Sequence, residues 1–235
     1  MKAAIIGASG GIGSALTHEL AASGVYSSIS ALSRSGQAPG GMAVKSAVID
    51  ILHEESIAAA SEGVGAVDLV IVASGMLSPP GSTGPEKSYR HQKADAFEQV
   101  FAVNTIGPAL VAKHFLPKMP RKGRTVFAAL SARVGSISDN RIGGWHAYRA
   151  SKAALNMLVR NFAIEQSRRN PDSIVVSLHP GTVDTGLSKP FQANVPDAQL
   201  FTPTQSATML INVINGLTPA DTGGFFDWAG KPIDF

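Results

Sequence analysis

The stretch Lys2-Ala3-Ala4-Ile5-Ile6 is a short apolar run that passes directly into Gly7-Ala8-Ser9-Gly10-Gly11-Ile12-Gly13, after which Ala15, Leu16 and Leu20 recur at helical spacing. A strand feeding a glycine turn and then a helix leaves few architectures open. One glycine permits the tight turn, another lets the backbone approach a pyrophosphate, and a third lets the helix pack closely on the sheet. The helix then points its free N–H groups and the positive end of its dipole at the turn, so an anion is the expected occupant of Gly7, Ser9, Gly10, Gly11, Ile12 and Gly13. A rival reading exists. Gly7-Ala8-Ser9-Gly10-Gly11 also fits G-x-S-x-G, the elbow that presents a nucleophilic serine, and Asp172 and His179 follow in the order a hydrolase requires. Against it, the turn follows the very first strand, and Gly13 has no task in an elbow.

Composition narrows the function classes. The 235 residues suit a single α/β domain, and 44% hydrophobic with 16% charged residues supports a substantial core. The formal charge of +3 is spread without a Lys/Arg run long enough to track phosphates, so nucleic acid is not an expected partner. The absence of cysteine excludes disulfides and thiolate chemistry, and the six histidines show no ligand spacing, so no metal is expected. No apolar stretch reaches the length of a membrane span. Glycines interrupt what could be taken for a leader after Lys2, so the segment is read as a first strand and the location as cytoplasmic.

Apolar runs at Ser28 to Leu32, Ala43 to Ile49, Val67 to Ala73, Thr125 to Leu130 and Ile174 to Leu178 lack strict polar alternation, as strands buried on both faces do. Helices are predicted between them at Glu54 to Ala60, Ala94 to Phe115, Ala150 to Ser167 and Thr204 to Ile214. This alternation predicts a Rossmann-type doubly wound parallel sheet in one domain over residues 1–235. Two stretches break the rhythm, residues 76–93 and 186–203. Both are rich in proline or glycine and are expected to form the substrate mouth, the second as a lid.

Tyr148 and Lys152 stand four apart on one face of a predicted helix. A tyrosine ionises near pH ~10, so its use as an acid or base at neutral pH calls for a neighbouring cation to stabilise the anion. Alone, the pair equally fits an amphipathic surface helix.

With the glycine turn, however, the pair forms part of an ordered set of motifs through which the chain resembles the short-chain dehydrogenase/reductase family over nearly its whole length. Asp68 to Gly75 resembles the family's fourth-strand segment, with Gly75 kept from its Asn-Asn-Ala-Gly ending and Ala73 and Ser74 beside it. Val103-Asn104-Thr105-Ile106-Gly107 resembles the segment whose asparagine holds a relay water, a role that would fall on Asn104. Pro180-Gly181-Thr182-Val183-Asp184-Thr185 is similar to the family's nicotinamide contact, here Pro180, Gly181, Val183 and Thr185, and Asp50-Ile51 sits where the family meets adenine. Val134-Gly135-Ser136-Ile137 and the run from Tyr148 to Asn156 are similar to the branch of small carbonyl reductases that holds Sniffer and C-factor. The resemblance implies a carbonyl reductase, or an oxidase of the corresponding alcohol, acting on a small molecule. Tyr148 would be proton donor, Lys152 would hold the nicotinamide ribose and lower the tyrosine's pKa, and the assembly would be a homodimer or homotetramer. It also leaves open a cofactor-bound signalling protein with weak catalysis.

One departure concerns the catalytic serine, usually the second of a Ser-Ser pair, where this chain has Ser131-Ala132. Adjacent strand residues face opposite ways, so Ser131 can substitute only if the strand end is twisted or bulged, and Ser136 is a second candidate. Cofactor choice is read from Ser33-Arg34-Ser35, which closes the second strand. No carboxylate is present to hold a ribose diol, and Arg34 with Ser33 or Ser35 can meet a 2′-phosphate, so NADP(H) is expected over NAD(H).

Overall fold

Strand β1 (Lys2–Ile6) lies in the interior of a parallel sheet with all but its first residue buried, which its unbroken apolar run requires. The glycine turn follows, then helix α1 (Gly11–Ala22) and strand β2 (Ser28–Ser33). Next come β3 (Val44–Val48), α2 (Glu54–Val64), β4 (Leu69–Val72), α3 (Ala94–Phe101), α4 (Gly107–Phe115), β5 (Thr125–Leu130), α5 (His146–Arg169) and β6 (Ser173–His179). The chain closes with β7 (Thr182–Val183), β8 (Leu200–Phe201), α6 (Pro203–Gly216) and β9 (Phe225–Asp227). This computed structural model describes residues 1–37, 40–194, 196 and 199–235, so positions 195, 197 and 198 of the expected lid lie outside the described residues.

The sheet order is β3-β2-β1-β4-β5-β6-β9, every pair parallel. Alternate strand residues face opposite helix layers. Ile5, Ile71, Ala128 and Val176 pack with Leu16 of α1 and Leu210 of α6. Ile6, Val72, Phe127 and Val175 pack with Ile57 of α2, Phe115 of α4 and Val159 of α5. This is the doubly wound sheet the sequence predicts, and its strand order reverses between β1 and β4, opening a crevice at the carboxyl ends of both.

Several elements differ from the sequence reading. Strand β3 is an edge strand with four of its five residues exposed, not one buried on both faces. A seventh strand, β9, and the small β7–β8 pair were not anticipated, because each is too short to form an apolar run. The predicted helix from Ala94 to Phe115 is divided by a π-helical turn over Ala102–Ile106. Pro108 has no N–H to give to the Asn104 carbonyl four residues back, and the ladder widens there. Helix α5 begins at His146, four residues earlier than predicted, after Trp145 in the left-handed region (φ 52°). Tyr148 therefore stands in its first turn.

Candidate active site

At the crevice, Gly7 takes φ +88°, and a Cβ there would come within 2.9 Å of the Ser74 amide nitrogen. A Cβ on Gly13 would lie 2.2 Å from the Gly7 carbonyl oxygen, so the first turn of α1 rests directly on the glycine turn. No side chain caps α1, whose cap residue is Gly10, and the N–H groups of its first turn remain available. These features suit a pyrophosphate: an uncapped helix start, a turn without side chains, and the buried, unpartnered Ser74 Oγ beside it. The residues present fit a dinucleotide.

A cavity of about 700 Å³ opens from this turn. Its walls bring together Gly10, Gly11, Ile12 and Gly13, then Ala73, Ser74 and Gly75 at the end of β4, and Ser131, Tyr148 and Lys152. Pro180, Gly181, Val183 and Thr185 close the other side. Gly7 does not line this cavity. Ser9, Ser33, Arg34, Asp50 and Ile51 are also outside its walls. Ser33 Oγ donates to the Gln37 carbonyl (2.9 Å), Arg34 is exposed, and among the described residues it forms no ion pair. Asp50 caps its own turn by accepting from the Leu52 N–H (3.0 Å), while Ile51 packs against Gly107.

Tyr148 is buried, and burial pushes its hydroxyl up to about 12. Desolvation is the cause of this shift. Lys152 Nζ lies 5.9 Å from the Tyr148 ring centre and donates to the Leu130 carbonyl (2.8 Å), while its own burial lowers it to about 8. The same desolvation acts on both groups. Asn104, fully buried, clasps the segment after β4 to α5. Its Oδ1 accepts from the Met76 N–H (2.8 Å), and its Nδ2 donates to the Met76 carbonyl (2.7 Å) and to Ser151 Oγ (3.1 Å).

The residue packed with Tyr148 and Leu77 is Ala132. Ser131 lines the cavity with its Oγ buried and unpartnered. Ser136 accepts from the Asp139 N–H (3.1 Å) and does not line the cavity. Sequence reasoning gave no role to Trp145 or Arg149, held Phe191 only within the 186–203 segment and His179 only in the hydrolase reading, yet all four line the cavity. The aromatic ones meet edge to face, Trp145 with Phe191 at 5.3 Å and with Tyr148 at 6.3 Å. The left-handed turn needed at Trp145 follows Gly143-Gly144, which was the available signal. His179 is held down to about 4 by burial and by Arg133, so it is neutral, and its Nδ1 has no partner.

The hydrolase reading fails on topology. Asp172 precedes β6 and His179 ends it, which separates the two by roughly 20 Å of extended chain. Among the described residues no group of His and carboxylates could hold a metal, and no helix is long and apolar enough to cross a membrane.

A family model described as short chain dehydrogenase matches residues 1–196. The chain belongs to the short-chain dehydrogenase family. As a member it is an NAD(P)-dependent oxidoreductase by class. This short-chain dehydrogenase is 37% identical over 135 residues to the C-signal protein of Myxococcus xanthus, covering 57% of this chain and 76% of that protein. It is also 37% identical over 131 residues to a 1-hydroxy-2-glutathionyl-2-methyl-3-butene dehydrogenase of a Rhodococcus strain, covering 56% of this chain and 55% of that one. Among solved structures, NADPH-bound carbonyl reductase from chicken fatty liver superposes with a TM-score of 0.83 at 24% identity, covering 100% of this chain and 98% of that one. The Sniffer carbonyl reductase of D. melanogaster gives 0.84 at 20% identity, covering 100% and 99%. At these identities the shared property is the fold.

Proposed function

We propose that this short-chain dehydrogenase reduces a small carbonyl compound to the alcohol, with NADPH as reductant. The observation that carries the reading is the placement of Tyr148 and Lys152 on the wall of the same cavity that the glycine turn of α1 opens. NADPH, when bound, supplies the hydride to the carbonyl carbon. Tyr148 donates its proton to the carbonyl oxygen as the hydride arrives, which yields the alcohol and leaves a tyrosinate to be reprotonated from solvent. A tyrosine kept protonated by burial suits this direction of reaction. Lys152 holds the ribose hydroxyls and steadies the tyrosinate, Asn104 anchors the proton relay, and Ser131 orients the carbonyl oxygen. Gly7, Ser9, Gly10 to Gly13 and Ala73 to Gly75 cradle the phosphates and adenosine, with Asp50 and Ile51 at the adenine. Pro180, Gly181, Val183 and Thr185 meet the nicotinamide. Segment 76–93 and the described residues of 186–203 form the substrate mouth, where a Cβ on Gly84 of the first would lie 3.0 Å from the Phe191 ring of the second.

Preference for NADPH over NADH follows from Arg34, exposed beside Ser33 and Ser35 with no carboxylate paired to it among the described residues. The NADPH-bound state of the chicken liver neighbour supports the use of NADP(H). Exposed Ile106, Met157 and Ile164 support a homodimer or homotetramer, and the reading places the protein in the cytoplasm.

The deciding experiment is Tyr148→Phe, assayed for NADPH oxidation across a panel of carbonyl compounds. Loss of turnover by a factor of about 10² or more with NADPH binding retained supports the mechanism, and undiminished turnover refutes it. Ala132 beside Tyr148, where the family's serine would lie, favours a second reading, a cofactor-bound regulatory protein. Cofactor binding by the unaltered protein with no turnover of any carbonyl would select that reading.

A further inference from the structure

Beyond Tyr148 the cavity wall is more cationic than a neutral carbonyl compound requires. Arg133, Arg141 and Arg149 all line it, against Asp139 as the one carboxylate among the described lining residues. Arg133 is already engaged, 3.1 Å from Asp227 and 3.5 Å from Asp139. Arg141 and Arg149 form no ion pair among the described residues. Arg149 gives one N–H to the Val134 carbonyl (3.2 Å), while its Nε is buried without a partner. A guanidinium drawn partly out of water with a donor unmet is costly, and an anionic group on a ligand would offset that cost with charge-assisted hydrogen bonds.

The same cavity has an apolar lining as well. Trp145 and Phe191 form an edge-to-face wall at 5.3 Å, Leu77 packs below it, and Ile142, adjoining Arg141, is 90% exposed at the mouth. An apolar body in contact with this wall would bring a terminal anion to Arg149 and Arg141 while its carbonyl stood at Tyr148.

We propose that the preferred substrate is an oxo acid: a carbonyl compound with an apolar, aromatic-sized body and a carboxylate at the far end from the reacting carbon, held by Arg149 and Arg141. This rests on the carbonyl-reductase reading above and deepens it.

The test compares para-carboxybenzaldehyde with its methyl ester as substrates of the purified full chain with NADPH. The ester is the more electrophilic aldehyde, so intrinsic reactivity works against the expected result. We expect kcat/KM to favour the acid by about tenfold or more, mainly through KM, with the preference shrinking as ionic strength rises. Arg149→Leu should bring the acid-to-ester ratio close to one, and Arg141→Gln, on an exposed loop, should lower it by a smaller factor. Equal use of acid and ester, or a ratio unmoved by both substitutions, overturns the proposal. If Arg149→Leu does not fold, the Arg141→Gln ratio and the salt dependence decide.

Should neither aldehyde turn over, the panel of carbonyl compounds described above decides the reductase reading separately, and binding decides the substrate chemistry. Calorimetry of para-(hydroxymethyl)benzoate against its methyl ester, with NADP⁺-loaded protein, should then show tighter binding of the acid that Arg149→Leu or Arg141→Gln weakens. Equal binding of acid and ester rejects it.

Discussion

Arg133 donates to Asp227 at 3.1 Å across 94 residues of chain, tying the turn after β5 to β9, the last strand of the sheet. Asp227 is buried, and its other oxygen accepts from the Ala229 and Lys231 N–H groups, both at 2.9 Å. The carboxylate thus fixes the C-terminal hairpin and, through Arg133, the residue that follows Ala132 beside Tyr148. Asp227→Asn should destabilise the fold by about 2 kcal/mol, read as a lower denaturant midpoint. Arg133→Gln leaves the hairpin bonds in place. It should reduce stability less and turnover more than a surface substitution does, which separates the positioning effect from the structural one.

Burial moves the two chemical groups in opposite directions, Tyr148 up to about 12 and Lys152 down to about 8. Tyr148 consequently remains protonated across the neutral range. Carbonyl reduction should be flat through neutral pH and fall as pH rises through about 8, where Lys152 loses its proton. Oxidation of the alcohol, which needs the tyrosinate, should be slow at neutral pH and increase toward alkaline pH. Profiles of kcat/KM report the groups of the free enzyme, and Lys152→Met should remove the limb near 8.

Two glycines test the turn against ordinary helix propensity. Gly13→Ala would place a methyl 2.2 Å from the Gly7 carbonyl oxygen, a backbone atom held by the sheet. Loss of NADPH binding and destabilisation by about 3 kcal/mol are expected. Gly63→Ala, within α2 and with nothing inside 4 Å, should instead stabilise by about 0.5 kcal/mol. Thermal melts with and without NADPH read both effects.

The serine question is resolved by a reciprocal pair. Ser131 Oγ is buried with no partner, so Ser131→Ala removes an unmet hydroxyl and should cost little stability, or add up to about 1 kcal/mol. A fall in kcat for that variant assigns the carbonyl contact to Ser131. Ala132→Ser puts a hydroxyl against Tyr148 and should raise kcat, on the order of tenfold, if the site lacks that donor. No change in kcat for either variant would remove serine from the mechanism.

Much of the scaffold was legible in local pattern. The buried strands β1, β4, β5 and β6 are dominated by Val, Ile, Leu and Ala, which suits a sheet covered on both sides, β2 alternates serine with Ile29, Ala31 and Leu32, and α2 and α6 follow from helical spacing. Strand β9 escaped because three residues carry no periodicity, and it exists by pairing with β6. The exposure of β3 is a fact of strand order, which no single run encodes. The π-helical turn at Asn104 has a sequence cause in Pro108, but its consequence, Asn104 reaching Met76 and Ser151, depends on where β4 and α5 lie.

By itself, then, the sequence determined the class of fold, the glycine turn under an uncapped helix and the Tyr148–Lys152 spacing, because each rests on near-neighbour sterics or helical geometry. Only the tertiary structure decided the protonation of Tyr148 and Lys152, the placement of Ala132 against Tyr148, and the meeting of Trp145, Phe191, Arg141 and Arg149 around one cavity. Those properties depend on desolvation and on contacts between segments far apart in the chain. Neither is a property of any stretch of residues until the sheet has brought their ends together.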